Sequence, residues 1–260
     1  MSFLSHLLPA ALMERLDHHP AADAPPEPEN LTYAVGDVHG CDAKLKRLLA
    51  QIEEDRDGRT ADIVFLGDYI DRGPDGAGVL RRVKALQDAE PDRVVCLMGN
   101  HDLMMLDFLS APASLAQRWL DYGGEETMTS FGVPSYSDVD LRERASVRAR
   151  ALREAAGPGL LGWLANLPLW WRSGNVVAVH GQTDPLRAMI AQRENVLLWG
   201  RPAARIVPRR DGSWVVHGHT PVPEPRVANR HVAIDTAAFR GGPLTAAVLG
   251  EGTPRFLSAT

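Results

Sequence analysis

Apolar residues in this chain come in short unbroken runs, each of which stops abruptly at a glycine, a histidine or an aspartate. "LTYAV" precedes Gly36, "DIVFL" precedes Gly67, "RVVCLM" precedes Gly99, "NVVAV" precedes His180, "SWVV" precedes His217 and "HVAI" precedes Asp235. "PLTAAVL" and "PRFL" follow near the C-terminus. Short runs rich in β-branched residues, with no polar alternate, fit strands buried on both faces. Between them the period changes. Leu45, Leu48, Leu49 and Ile52 recur at helical spacing, as do Val79, Leu80, Val83 and Leu86. Strand–helix alternation of this kind predicts an α/β domain.

From Leu103 to about Asn166 the pattern is helical only, and it predicts an insert of three or four helices. In the last of them Leu141, Ala145, Leu152 and Ala155 share a face, and five arginines lie elsewhere between Arg142 and Arg153. Those arginines read as a solvated, salt-bridged surface rather than as a site for an acidic ligand. Residues 1–30 stand apart. Their second half, "HHPAADAPPEPEN", is rich in proline, alanine and acid and reads as a flexible linker with no core-forming ability. The expected organisation is a flexible segment over 1–30 and one globular domain over 31–260.

Composition narrows the function classes. A net charge of −5 argues against broad electrostatic binding of nucleic acid. No apolar run reaches the roughly 18 residues of a membrane span. "MSFLSHLLPAALMERL" lacks a basic start and is broken by Ser5, His6 and Pro9, so a secretory leader is not expected. Two cysteines, Cys41 and Cys96, make no CxxC motif, and a reducing cytoplasm suits them.

The chemistry lies where the runs stop. "AVGDVHG" carries Asp37 and His39, "FLGDYIDRG" carries Asp68 and Asp71, and "LMGNHD" carries Asn100, His101 and Asp102. "AVHG" adds His180, and "VVHGHTP" adds His217 and His219. Residues i and i+2 of an extended segment point the same way, so each such pair could grip one ion. Five of the nine histidines sit at strand ends, next to a glycine or one residue from it, and in α/β sheets ligands gather at those ends. Mixed carboxylate, imidazole and amide ligands suit Mn, Fe, Zn or Co. So many groups exceed the needs of one ion, and two ions about 3.5–4 Å apart form a clamp suited to phosphoryl transfer. Arg72, inside the motif, would meet phosphate oxygens.

At these residues the chain resembles the phosphoprotein phosphatase family of metallophosphoesterases, and most of all its bacterial and bacteriophage lambda branch. The family pattern GDxHG, GDxxDRG, GNHE, HG and GHTP appears as Gly36–Gly40, Gly67–Gly73, Gly99–Asp102, His180–Gly181 and Gly218–Pro221. "WLDYGGEETMTSFG", "LLWGRP" and "VAIDTAAFRGGPLTAAVL" are similar to further segments of that branch. The resemblance implies a four-layer αββα sandwich of two mixed sheets with a helical insert. It implies two divalent ions, manganese first. Asp37, His39 and a bridging Asp68 would hold one, and Asp68, Asn100, His180 and His219 the other. His101 would be the general acid of attack by a doubly activated hydroxide, with Asp71 orienting it. Arg72, Arg201 and Asn100 would bind phosphate, Asp235 would support the site, and His217 would lie behind the ligands or simply pack.

Two positions depart from the pattern. GNHE is GNHD, one methylene shorter at Asp102, and the usual DTGA is DTAA, with Ala237 where glycine is common. Neither removes a catalytic group. "GDYIDRG" resembles the protein-phosphatase form, so a phosphoserine or phosphothreonine protein is the leading substrate. A diadenosine tetraphosphate hydrolase, or a small-molecule phosphomonoesterase or phosphodiesterase, shares the same motifs. A non-catalytic binding module predicts missing ligands, and none is missing.

Overall fold

The computed structural model describes residues 24–135, 141–203 and 206–260. Residues 1–23 of the expected flexible segment lie outside them. Every apolar run becomes a strand. Along the chain these are β1 (Leu31–Val35), β2 (Ala61–Phe65), β3 (Val94–Cys96), β4 (Trp170–Ser173), β5 (Val176–Val179), β6 (Trp214–His217), β7 (Arg226–Ala228), β8 (His231–Ala233), β9 (Leu244–Leu249) and β10 (Arg255–Ala259). They form two mixed five-stranded sheets, ordered β10-β9-β1-β2-β3 and β4-β5-β6-β8-β7. In the first, parallel β1, β2 and β3 make the middle and one side, with β9 and β10 antiparallel on the other; in the second, parallel β5, β6 and β8 make the middle, with β4 and β7 as antiparallel edges.

The period-2 rule sorts side chains between layers. Ala34, Val64 and Leu66 of the first sheet meet Val176, Ala178, Val216 and Val232 of the second in a shared core. Their neighbours Tyr33, Val35, Ile63 and Phe65 face the other way, onto helices. This is why the runs are apolar without alternation, and it gives the αββα sandwich. Helices α1 (Asp42–Arg56), α2 (Gly76–Ala89), α3 (Asn100–Ser110), α4 (Pro112–Asp121), α5 (Gly124–Ser130) and α6 (Leu141–Ala165) are numbered in chain order. Helix α6 is two helical stretches joined across Gly157, whose φ of 78° ends the first, with Pro158 opening the second. The outer layer on the second sheet is thin. A 3₁₀ turn (Met189–Ala191) and α7 (Glu194–Trp199) cover Val177, Val179 and Val215 there.

Two expectations change. The described part of the linker is fastened down. Pro26 is buried, Glu27 N–H and Glu29 N–H donate to Asn175 Oδ1 (2.6 Å) and Ser173 Oγ (2.9 Å), and Trp214 Nε1–H donates to Ala24 O (3.0 Å). The α6 arginines are not uniformly solvated either. Arg148 is 4% exposed and grips both carboxylate oxygens of Glu125 at 2.9 and 2.7 Å, and Arg153 donates to Leu109 O. The side chains of Leu141 and Arg142 lie outside the described residues.

Candidate active site

The functional side chains follow β1, β2, β3, β5 and β6, on loops and, for Asn100 and His101, on the first turn of α3, and the loops after β1 and β2 are strapped together by backbone hydrogen bonds. Val38 and His39 N–H both reach Asp68 O (3.1 and 2.8 Å), and Gly40 N–H reaches Tyr69 O (2.9 Å). The i, i+2 argument does not describe how the ligands converge. Strand β1 has ended at Val35, and His39 (φ 43°) and His219 (φ 59°) are left-handed rather than extended. Among the described residues nine non-glycine positions have positive φ, and five of them are His39, Asp68, Asp71, Arg72 and His219. Each such residue costs about 1–3 kcal/mol, which the surrounding loops must offset, and such strain gathers where side chains must be aimed. Close approach requires several glycines, Gly99 and Gly218 among them. A Cβ on Gly99 would collide with the backbone and carboxylate of Asp68, and one on Gly218 would collide with Asp37 Oδ1.

Two groups of ligand atoms lie close enough to share an ion: His39, Asp68 and His101, and Asp68, His180 and His219, each within 4.8 Å. Asp68 belongs to both, its Oδ2 lying 3.4 Å from His39 Nε2 and 3.4 Å from His180 Nε2. Asn100 Oδ1 is 2.8 Å from His180 Nε2 and 2.8 Å from His219 Nδ1. Asp37 lies against the second group, where its carboxylate accepts the His219 N–H at 3.1–3.2 Å.

The donors fit metal ions on a simple count of hydrogens. His180 Nδ1 faces Leu66 O at 2.9 Å and His39 Nδ1 faces Ile70 O at 2.7 Å. A carbonyl only accepts, so both Nδ1 atoms carry the proton and both Nε2 atoms present lone pairs. The His180 lone pair then points at two oxygens, Asn100 Oδ1 and Asp68 Oδ2, with no hydrogen between. Converging acceptors out of water are costly unless a cation lies among them.

The electrostatics agree. Burial pushes the carboxyls of Asp37, Asp68 and Asp71 well above the usual range, with Asp235 repelling Asp37 and Asp102 repelling Asp68. Burial also pulls His39 down to about 3, helped by Arg72, and His219 down to about 4, helped by Arg201. Buried carboxyls beside neutral imidazoles make a site short of positive charge. Arg72 supplies some of it, donating to His39 Nε2 at 3.1 Å and to His101 Nε2 at 2.8 Å. Its bond to His39 uses the lone pair an ion would take, so the two exclude each other.

His101 Nδ1 meets Asp71 Oδ2 at 2.7 Å. Asp71 is in turn held by Trp119 Nε1–H (2.9 Å) and by Thr127 Oγ1–H (2.7 Å), and its own N–H donates to Thr127 Oγ1 (2.8 Å). Trp119 ends in α4 and Thr127 in α5, so the helical insert grips the carboxylate behind His101. Arg201 is exposed beside the cluster.

A family model described as calcineurin-like phosphoesterase matches residues 32–223. The chain belongs to that family. It is a phosphoric ester hydrolase by that membership, and its two-sheet sandwich is the metallophosphoesterase fold. Among curated relatives, a symmetrical bis(5'-nucleosyl)-tetraphosphatase of Chromohalobacter salexigens is 30% identical, over 85% of this chain and 95% of the relative. An asymmetrical bis(5'-nucleosyl)-tetraphosphatase of Geobacillus sp. is 28% identical, over 82% and 87%. Solved structures share the fold. A candidate diadenosine tetraphosphatase superposes with a TM-score of 0.62 at 21% identity, covering 91% of this chain and 99% of that one. A serine/threonine phosphatase from Saccharomyces cerevisiae gives 0.58 at 16%, covering 97% and 91%.

Within this phosphoesterase, three residues escaped sequence reasoning. Trp119 and Thr127 lie inside "WLDYGGEETMTSFG", a stretch whose similarity was visible while its purpose was not. Asp102 was grouped with the ligand-type residues and noted as a shortened glutamate, with no role assigned. It is fully buried and accepts the N–H groups of Gly99 (2.9 Å), Asp68 (2.8 Å) and Tyr69 (3.1 Å), locking two ligand loops together. Ala237 keeps the left-handed conformation that glycine would favour, at φ 53°.

Proposed function

We propose that this phosphoesterase hydrolyses dinucleoside polyphosphates of the diadenosine tetraphosphate type by metal-dependent attack on a phosphoanhydride. The observation that carries this reading is that curated relatives matching over four-fifths of the chain are named nucleosyl-tetraphosphatases. It reverses the order of preference drawn from "GDYIDRG", which put a phosphoprotein first.

In this reading Asp37, His39 and Asp68 hold one divalent ion, and Asp68, Asn100, His180 and His219 hold the second, with Asp68 shared. Manganese is the first metal to try. Bound there, the ions supply charge neutralisation and a nucleophilic water at neutral pH. The remaining steps belong to the chain. Arg72, Arg201 and Asn100 bind non-bridging phosphate oxygens. Asp71 keeps the His101 ring turned so that Nε2 faces the leaving group, and once Arg72 moves from that nitrogen to phosphate, a proton carried at Nε2 passes to the departing oxygen. Asp235 crowds Asp37 and adds negative charge beside it, which favours a cation there. The whole of 31–260 acts as one catalytic domain. The two free cysteines, Cys41 and Cys96, suit work in the cytoplasm.

The test is turnover by metal-stripped protein resupplied with manganese. Diadenosine tetraphosphate should be cleaved with a higher kcat/KM than a phosphoserine peptide or bis-para-nitrophenyl phosphate, with products separated by chromatography. Preference for the peptide would return the reading to a protein phosphatase.

A further inference from the structure

Cavities away from the ligand cluster include one of about 500 Å³ against Cys41 and Phe239, where no buried polar side-chain atom is left unpaired, and two others. The larger, about 520 Å³, is enclosed by the insert, and its buried cation Arg148 is already spent on Glu125. The smaller, about 150 Å³, lies beside Arg201 and is lined by Gln182, Thr183, Pro202, Ile206, Val207 and His231 among others. Its polar groups are the odd feature. Gln182, Thr183 and His231 are only 7%, 7% and 6% exposed. Gln182 Nε2 and Thr183 Oγ1 have no hydrogen-bond partner, and the His231 ring, approached by the Val207 backbone, has no well-formed bond at either nitrogen. Native interiors rarely leave such groups unpaired.

The lining says what would pair with them. Among the described residues Arg201 is the one charged residue lining the cavity, and burial holds His231 neutral, at about 4. The walls from Pro202, Ile206 and Val207 are apolar. Neutral donors and acceptors between apolar walls suit a flat heterocycle, not a phosphate or a metal. The volume is below the roughly 300–1,000 Å³ that houses a whole drug-sized ligand, so one ring system is the scale. A glutamine amide matches the N6/N7 edge of adenine with two hydrogen bonds. The cavity is also tied to the ligand cluster. Gln182 follows His180 by two residues, and the N–H groups of Gly181 and Gln182 bond to Leu197 O and Val196 O in α7, the helix that leads into Arg201. Arg201 lines the cavity and also helps to lower His219.

We propose that this cavity is a nucleobase subsite, taking one adenine while the attached phosphates cross Arg201 to the ligand cluster. The proposal rests on the dinucleoside polyphosphate reading, and the experiment separates the two. Gln182→Met and Thr183→Val keep the volume and remove the polar atoms, so the fold should tolerate them. Metal-free protein is titrated with adenosine by calorimetry, and manganese-supplied protein is assayed on diadenosine tetraphosphate and para-nitrophenyl phosphate. Wild type should bind adenosine, and Gln182→Met should bind it about tenfold more weakly. The ratio of kcat/KM for diadenosine tetraphosphate over para-nitrophenyl phosphate should fall about tenfold in Gln182→Met, through KM rather than kcat, and less in Thr183→Val. If wild type fails to bind adenosine, or both variants keep its affinity and its ratio, the cavity holds water only and the subsite is wrong. If wild type prefers a phosphopeptide, the substrate reading falls, and the adenosine titration still decides the cavity.

Discussion

The loops at the sheet rim and the helices of the insert approach the same histidine from opposite sides and are built differently. At the rim, ligands such as Asp68 and His219 are presented by left-handed residues beside glycines that nothing larger could replace. Strain there is concentrated and local. In the insert, Trp119 and Thr127 are ordinary helical residues, buried among apolar neighbours, that send one polar atom each to Asp71. On the proposed reading, the rim holds the metal. The insert decides how well the His101–Asp71 pair is aimed. Loss of a rim group should therefore remove metal and turnover together, while loss of an insert group should lower turnover and leave metal in place.

That division can be broken by experiment. The largest effect is expected at the rim. His219→Ala should cut turnover about a thousandfold or more and lower the manganese retained after desalting. Retention of full metal with full activity would remove His219 from the ligand set. Next comes His101→Asn, which should cost about 10²–10⁴-fold on a phosphoserine peptide, whose alkoxide must be protonated as it leaves. The loss should shrink on para-nitrophenyl phosphate, whose leaving group is stable as an anion. Equal losses on both would contradict general acid catalysis. In the insert, Thr127→Val should reduce kcat about tenfold or somewhat more while metal content stays at the wild-type value. Trp119→Phe should act in the same direction. Parallel loss of metal would erase the distinction between the two regions. The smallest effect concerns Ala237, which faces Gly242 across the loop after Asp235. Ala237→Gly relieves its left-handed strain but loosens the unfolded chain, so it should raise stability by less than about 1 kcal/mol in thermal unfolding.

The two regions were also unequally legible. Ligands at strand ends could be read because residue type, glycine and the end of an apolar run coincide within five or six positions, as in "AVGDVHG". Strands such as "DIVFL" could be read because burial on both faces leaves no polar alternate. Partnerships across the chain could not. Trp119 and Thr127 reach Asp71 over 48 and 56 residues, and no local pattern encodes such a distance. Arg148 sits in a helix face that composition marks as solvated, and only its pairing with Glu125 explains its burial. The acid- and proline-rich 24–30 stretch has no apolar pattern, yet it is fixed by backbone bonds to Ser173 and Asn175, which depend on atoms every residue carries. Extended geometry was also the wrong premise for the paired ligands. They converge because the chain turns left-handed after β1 and β6, at His39 and His219.

The central claim is a binuclear centre shared through Asp68, and metal stoichiometry tests it most directly. Wild-type protein and Asp68→Asn are saturated with manganese, desalted and measured for bound metal per chain, with circular dichroism to confirm folding. The account predicts two equivalents in wild type, and one or fewer in a folded, inactive variant. A wild-type chain that retains a single ion, or a variant that keeps two, would contradict it.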